Sequence, residues 1–306
     1  MPTNPIALSS PNHSRRRRHR CAGGREGTMT EITAHHGLLT DTKLHVDDTG
    51  APGRPVVLIH GWPLSGDSWS EQVPALHDAG YRVVTYDRRG FGRSDKPLTG
   101  YGYDTLTDDL HALLVELDLK NVTLVGFSMG GGEVARYFSK YGTERLHSVV
   151  FASAVPPFLL KTPGNPDGPL EAGQAASMTA GLTANQDAFY DDFTTQFFSV
   201  DGVLKVSQAQ RQVALALAKQ SSKVAALEAM AAFASTDFRD DLTKVSVPAL
   251  VIHGDSDGTV PFEGSGKRTH EAIPGSELVV IAGAPHGVNV SHADEFNRAL
   301  LDFLAK

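Results

Sequence analysis

From about residue 29 onward the chain alternates short β-branched runs with longer stretches of helical period, and this alternation restricts the fold more than any other feature. Lys43–Val46, Pro55–Ile59, Arg82–Tyr86, Val122–Val125, Ser148–Phe151, Ala249–Ile252 and Leu278–Ile281 read as strands. Several are apolar throughout, as strands buried on both faces must be. Between them Leu106, Leu110, Leu113, Leu114 and Leu117 fall on one helical stripe while Asp108, Asp109, Glu116 and Asp118 point elsewhere, which describes an amphipathic helix lying on a sheet. The first strands, up to about Asp48, are joined by short turns, so an antiparallel start to an otherwise parallel α/β sheet is expected.

The alternation stops near Pro156–Pro157, and for about ninety residues the sequence is rich in Ala, Gln and Phe with helical patterning. A βαβ crossover needs far fewer residues. We therefore expect residues 29–155 and 246–306 to form the core and 156–245 a helical lid over the carboxyl edge of the sheet, where loops lengthen without disturbing strand pairing. Residues 1–28 are rich in Pro, Ser, Gly and Arg and offer almost nothing that packs, so they read as a disordered basic extension ahead of a start at Met29. They hold six of the 28 Lys+Arg but only one of the 35 Asp+Glu, so the whole-chain charge of −7 hides a body near −12. Such an acidic body argues against a nucleic-acid partner, because phosphate binding rests on Lys and Arg. No apolar run approaches the ~18 residues of a membrane span, and a cytoplasmic location is expected. Cys21, the single cysteine, permits no internal disulfide and no thiolate metal site. No metal and no cofactor are expected; a homo-oligomer stays open.

Gly126-Phe127-Ser128-Met129-Gly130 matches G-x-S-x-G with a strand before it and a helical pattern after it, Gly131–Tyr141. In such an elbow a tight turn lifts the serine Oγ clear of the backbone, and the residues two before and two after must be small. Gly254-Asp255-Ser256-Asp257-Gly258 matches the same pattern, but Ser256 lies between two carboxylates that would repel a developing oxyanion and no helix with a packing face follows. Ser128 is therefore the candidate nucleophile, against the plainer reading of a helix-capping serine.

A serine hydroxyl needs a base, and an imidazole base needs a partner on its other nitrogen. Downstream, the strand Ala249–Ile252 runs into Asp255 and Asp257, and Leu278–Ile281 runs into His286. Of thirteen histidines, His286 alone combines a strand end, a loop and a position after the acid; His60 and His253 end strands beside glycine turns that serve another purpose, and His253 and His292 read as structural or exposed. Asp257 lies further into its loop than Asp255, which is suited to bonding backbone amides in the turn. The order Ser128, Asp257, His286 is that of an α/β-hydrolase. Two amides should face the oxyanion: Met129 after the nucleophile, and Trp62 in the loop His60-Gly61-Trp62-Pro63-Leu64, where Pro63 has no N–H to give. Pro63, Phe127, Phe158, Phe197 and Phe198 are expected to line the substrate pocket, although each lid phenylalanine reads equally well as helix core.

Together, His60-Gly61-Trp62-Pro63-Leu64-Ser65-Gly66, Tyr86-Asp87-Arg88-Arg89-Gly90-Phe91-Gly92-Arg93-Ser94, the Ser128 elbow through Tyr137, and the Asp257 and His286 loops closely resemble the cofactor-free haloperoxidases. This family, also called non-heme chloroperoxidases or perhydrolases, overlaps the aryl esterases of the α/β-hydrolase fold. The resemblance runs from about Ile32 to the end, specific in the core and loose in the lid. It implies Ser128 as nucleophile, His286 as base, Asp257 as its orienter, and Trp62 and Met129 as oxyanion donors. Pro63 is similar to the proline of members that favour hydrogen peroxide over water. The chemistry implied is acyl transfer on short-chain carboxylic acids or esters, with water giving the acid and peroxide the peracid, which oxidises halide without heme or vanadium. Serine at the elbow excludes the aspartate-based epoxide hydrolase and haloalkane dehalogenase mechanisms. A plain carboxylesterase or lactonase, and a small-molecule receptor built on the same fold, are the alternatives.

Overall fold

The computed structural model describes residues 17–20, 26–34 and 41–306. Six strands run parallel at its centre: β4 (Pro55–Ile59), β5 (Arg82–Tyr86), β6 (Val122–Phe127), β7 (Leu146–Ala152), β10 (Ala249–Gly254) and β11 (Glu277–Ile281). Ahead of them β1 (Arg17–Arg20), β2 (Glu26–Ala34) and β3 (Thr42–Asp48) pair antiparallel, and β3 pairs antiparallel with β5. The order across the sheet is β1-β2-β3-β5-β4-β6-β7-β10-β11. A further antiparallel pair, β8 (Ser199–Val200) and β9 (Val203–Leu204), forms a small hairpin by itself. All six residues of β6 and of β10 are buried, as their unbroken apolar runs require.

Part of the leading segment read as disordered is strand: β1 lies on the sheet edge, and β2 passes through Met29 with no break. An edge strand gains its stability from backbone hydrogen bonds and needs no apolar side chains, so an arginine run is compatible with it. Residues 1–16 and 21–25 of that segment, Cys21 included, lie outside the described residues.

Helices cover both faces. On one side α2 (Tyr103–Glu116) and α3 (Gly130–Tyr141) pack together, joined by α8 (Arg239–Leu242) and α9 (Gly266–Ala272). On the other α1 (Gln72–Asp78) packs on α11 (Ala293–Leu304), with the short α10 (Val288–Ser291) leading into the latter. Between β7 and β10 the chain forms α4 (Ala172–Ala184), α5 (Gln186–Phe197), α6 (Gln208–Ala218) and α7 (Lys223–Ser235). Ser207 and Ser222 cap the last two by accepting from backbone amides, and Ser207 with Gln210 completes a capping box. The β8–β9 hairpin is an addition to the mainly helical reading of this stretch; Asp201 and Gly202 take positive φ at its tip. Among the described residues no helix is long and apolar enough to cross a membrane.

A buried polar network joins the carboxyl ends of the central strands. Tyr86 Oη donates to Glu133 Oε2 at 2.7 Å, Arg88 Nε to Glu133 Oε1 at 2.7 Å, and Arg88 Nη2 to the His60 carbonyl at 2.7 Å. Arg88 and Glu133 are both essentially inaccessible to solvent. The network fixes the loops after β4 and β5 to the first turn of α3. Removing one partner strands the other charge, so Glu133→Ala should lower the unfolding free energy by about 3–5 kcal/mol, and pairing it with Arg88→Met should recover part of that loss. Urea unfolding of the two variants checks both expectations.

Candidate active site

β6 ends in the elbow. Ser128 takes φ 54°, a left-handed conformation that few non-glycine residues adopt. Its amide donates to Ala152 O at 2.9 Å, and its carbonyl accepts from Gly131 and Val155. Glycine is required on either side: a Cβ on Gly126 would lie 2.5 Å from Gly130 O, and one on Gly130 would lie 2.6 Å from Ile59 O. The turn points Ser128 into a cavity and starts α3 at once.

Ser128, His286 and Asp257 come together although 158 residues separate the first two in sequence. His286 Nε2 lies 2.9 Å from Ser128 Oγ, and His286 Nδ1 lies 2.7 Å from Asp257 Oδ2. An ionised carboxylate only accepts, so the ring proton sits on Nδ1 and the bare Nε2 faces the serine hydroxyl. Asp257 Oδ1 accepts from the amides of Thr259 and Val260 at 2.9 and 2.8 Å. Burial alone would raise the Asp257 carboxyl, but the imidazoles of His286 and His253 and their hydrogen bonds hold it well below the ordinary carboxylate value. Asp255 turns away and accepts from the Gly283 amide at 2.7 Å, bracing the two loops. Ser256 donates to Asp255 Oδ1, so the second G-x-S-x-G segment supplies acids and no elbow.

Trp62 and Met129 flank Ser128 at the ends of adjacent strands β4 and β6. Among the described residues neither amide makes a hydrogen bond within the protein. The Trp62 indole is anchored instead, donating to Ala226 O at 3.0 Å and meeting Phe193 and Phe233 edge-on with centroids 5.1 and 5.8 Å away.

The cavity above Ser128 measures about 640 Å³. Of the residues read as pocket lining, Pro63, Phe127, Phe158, Phe197 and Phe198 do not line it. Phe127 packs behind the elbow on Trp69 and against His286, with centroids 6.0 and 5.2 Å away. Phe197 meets His286 edge-on at 5.0 Å, and Phe198 packs on Phe197. Phe127, Phe197 and Phe198 instead border a separate cavity of about 190 Å³. Phe158 lies under the Arg239 guanidinium, and Pro63 is buried in its loop. The physical reason is direction: successive side chains at a strand end point to opposite sides, and the end of α5 sits under the His286 loop, where Gly287 N donates to Phe197 O at 2.9 Å. The cavity wall is built instead by Trp62, Leu159, Met178, Phe189, Phe193 and Phe233. A signal for two of these lay in the sequence, since Phe189 and Phe193 stand four apart on one helical face with Phe197 next in the row.

His253, read from the sequence as structural or exposed, is structural, but its contact with Asp257 was not foreseen. It is fully buried, with Nε2 2.8 Å from Val260 O and 3.3 Å from Asp257 Oδ2, the same oxygen that faces His286.

The model for the alpha/beta hydrolase fold matches residues 54–293. A non-heme chloroperoxidase of Kitasatospora aureofaciens is 45% identical over 258 residues, covering 83% of this chain and 93% of the relative. The chain belongs to the non-heme chloroperoxidase family of the α/β-hydrolase fold. A bifunctional esterase/perhydrolase of Acinetobacter calcoaceticus, another member of the fold, is 38% identical over 266 residues, covering 84% of this chain and 94% of its own. Among solved structures, a bromoperoxidase from Bacillus anthracis superposes with a TM-score of 0.88 at 53% identity, covering 91% of this chain and all of that one.

In this α/β-hydrolase the loop that carries Trp62 is held by His60, whose Nε2 accepts from the Arg88 amide at 3.0 Å and whose Nδ1 faces Gly61 O at 2.8 Å. Burial, with the Arg88 guanidinium beside it, lowers the His60 imidazole from its usual range to about 3. An unfolded chain takes up that proton near pH ~6.5. Stability from this group is therefore complete above pH ~6.5 and declines as the pH falls toward about 3, because only the unfolded state binds the proton in that window. Urea midpoints at pH ~7.5 and ~5 should accordingly differ more for the wild type than for His60→Gln, whose side chain does not titrate; equal differences would remove His60 from the account.

Proposed function

We propose that this protein is a serine-dependent acyltransferase that uses hydrogen peroxide or water as acceptor, acting on esters and short-chain carboxylic acids. The observation that carries the reading is the continuous relay from Asp257 through His286 to Ser128, with two unengaged amides beside the serine. Ser128 is the nucleophile: as Oγ attacks the acyl carbon its proton passes to His286 Nε2, and Asp257 stabilises the imidazolium by accepting from Nδ1. The developing oxyanion lies against the Trp62 and Met129 amides, which are preorganised because, among the described residues, no acceptor engages them. His286 then returns the proton to the leaving oxygen, and an alcohol departs from an ester or water from an acid. Water or hydrogen peroxide, deprotonated by His286, attacks the acyl-serine and restores the Ser128 hydroxyl while releasing the acid or the peracid.

Peracid, halide and a proton give carboxylic acid and hypohalous acid, so halide oxidation follows acyl transfer in solution and uses peroxide as its only oxidant. The names of the relatives support this assignment, since chloroperoxidase, bromoperoxidase and esterase/perhydrolase describe outcomes of one acyl-enzyme. The water route alone is a carboxylesterase, and the two acceptors differ by a small free energy in the pocket.

Ser128→Ala should abolish ester hydrolysis and peroxide-dependent halide oxidation together, each falling by at least about 10³-fold. Steady-state assays of both reactions on one protein preparation are the check. Halide oxidation that survives the substitution would separate it from acyl transfer and defeat the proposal.

A further inference from the structure

We infer that the cavity above Ser128 selects donors whose acyl chain is large, apolar and uncharged and turns away those with a second carboxylate remote from the reacting carbonyl, with Asp192 as the residue that sets this charge preference. The inference rests on the acyl-transfer reading above and names the substrate class for it. Its first support is size: about 640 Å³ lies within the range of pockets that enclose drug-sized ligands, far more than an acetyl group fills. Its second is the lining, in which Leu159, Leu170, Met178, Phe189, Phe193 and Phe233 present apolar surface to the space over the serine. Burial of an apolar chain there stabilises the complex in proportion to the area removed from water.

Charge is the third support. Asp192 is the one ionisable side chain among the described residues that line the cavity, and no Lys or Arg lines it. It stands on α5 between Phe189 and Phe193, on the face that also carries Gln196, and it is solvent-exposed. Neighbouring cations are engaged elsewhere: Arg211 pairs with Asp191, Lys219 with Asp187 and Lys161 with Glu171. Among the described residues Asp192 itself has no ion pair. A carboxylate entering this space sheds water without meeting a cation, and it meets the Asp192 charge at the wall. A neutral ester bears neither cost, and a quaternary ammonium group gains from the carboxylate and from the aromatic rings. Hydrolysis turns a neutral donor into a carboxylate, so the same field favours release of the product.

The test compares three nitrophenyl esters of similar length: the hexanoyl ester, the monoester of adipic acid, and a hexanoyl ester ending in trimethylammonium. In the wild type, kcat/KM for the adipate monoester should be lower than for the hexanoyl ester by at least about 100-fold, mainly through KM, with the ammonium ester close to the neutral one. Asp192→Lys should narrow that gap by about tenfold. Equal handling of the neutral and anionic esters by the wild type, or an unchanged ratio in Asp192→Lys, overturns the inference. Equilibrium binding of the same esters to Ser128→Ala reads the preference without turnover. If the wild type hydrolyses none of them while this binding order holds, the acyl-transfer reading fails and the charge preference stands; equal binding defeats the preference itself.

Discussion

The rest of the site depends on a single backbone constraint, the left-handed turn at Ser128. A non-glycine residue at φ 54° costs on the order of 1–3 kcal/mol, and it persists only where the surroundings over-determine it. Here β4 and β7, the two neighbours of β6, do so. The Ser128 amide is tied to β7 at Ala152, and the backbone of Gly130 is pressed against the end of β4 at Ile59. Because the sheet fixes both sides, α3 begins immediately after the strand. The serine oxygen is lifted toward the cavity, and the Met129 amide is left without a partner beside it.

Two buried ionic arrangements then hold the other loops to this turn. Arg88 and Glu133 join the β4 and β5 loops to α3, which places Trp62 against the elbow. Asp257 accepts from two amides of its own loop through Oδ1 and stands against two imidazoles through Oδ2, so both carboxylate oxygens are engaged. A buried carboxylate satisfied in this way stays ionised and stays in place. Both arrangements lie at the carboxyl ends of parallel strands, where side chains from distant parts of the chain converge. The lid completes the same region: the row Phe189, Phe193, Phe197 descends α5 from the cavity wall to the back of His286.

The core strands were legible because burial on both faces demands unbroken apolar runs, and β4 and β5 keep the bounds read from sequence. Choosing Asp257 over Asp255 followed from loop position, and the structure places Asp257, two residues further on, against His286. The pocket aromatics were not legible in the same way. Phe197 and Phe198 differ from Phe189 and Phe193 only in where they fall along one helix, and the docking of that helix on the His286 loop decides which ones face the cavity. β1 escaped notice for a different reason: an edge strand is stabilised through its backbone, which leaves no apolar signature.

Local sequence by itself determined the core strands and the chemistry-bearing positions: the glycines that admit the elbow, the order of serine, acid and histidine, and an acidic body. Those features are set by steric room, periodicity and charge within a few residues. Tertiary structure alone decided the approach of His253 to Asp257, the burial of His60 beside Arg88, and the place of Asp192, the one ionisable side chain among the described residues that line the cavity, on its wall. Each depends on the distance between elements that are remote in sequence, and packing of the whole sheet and lid sets that distance.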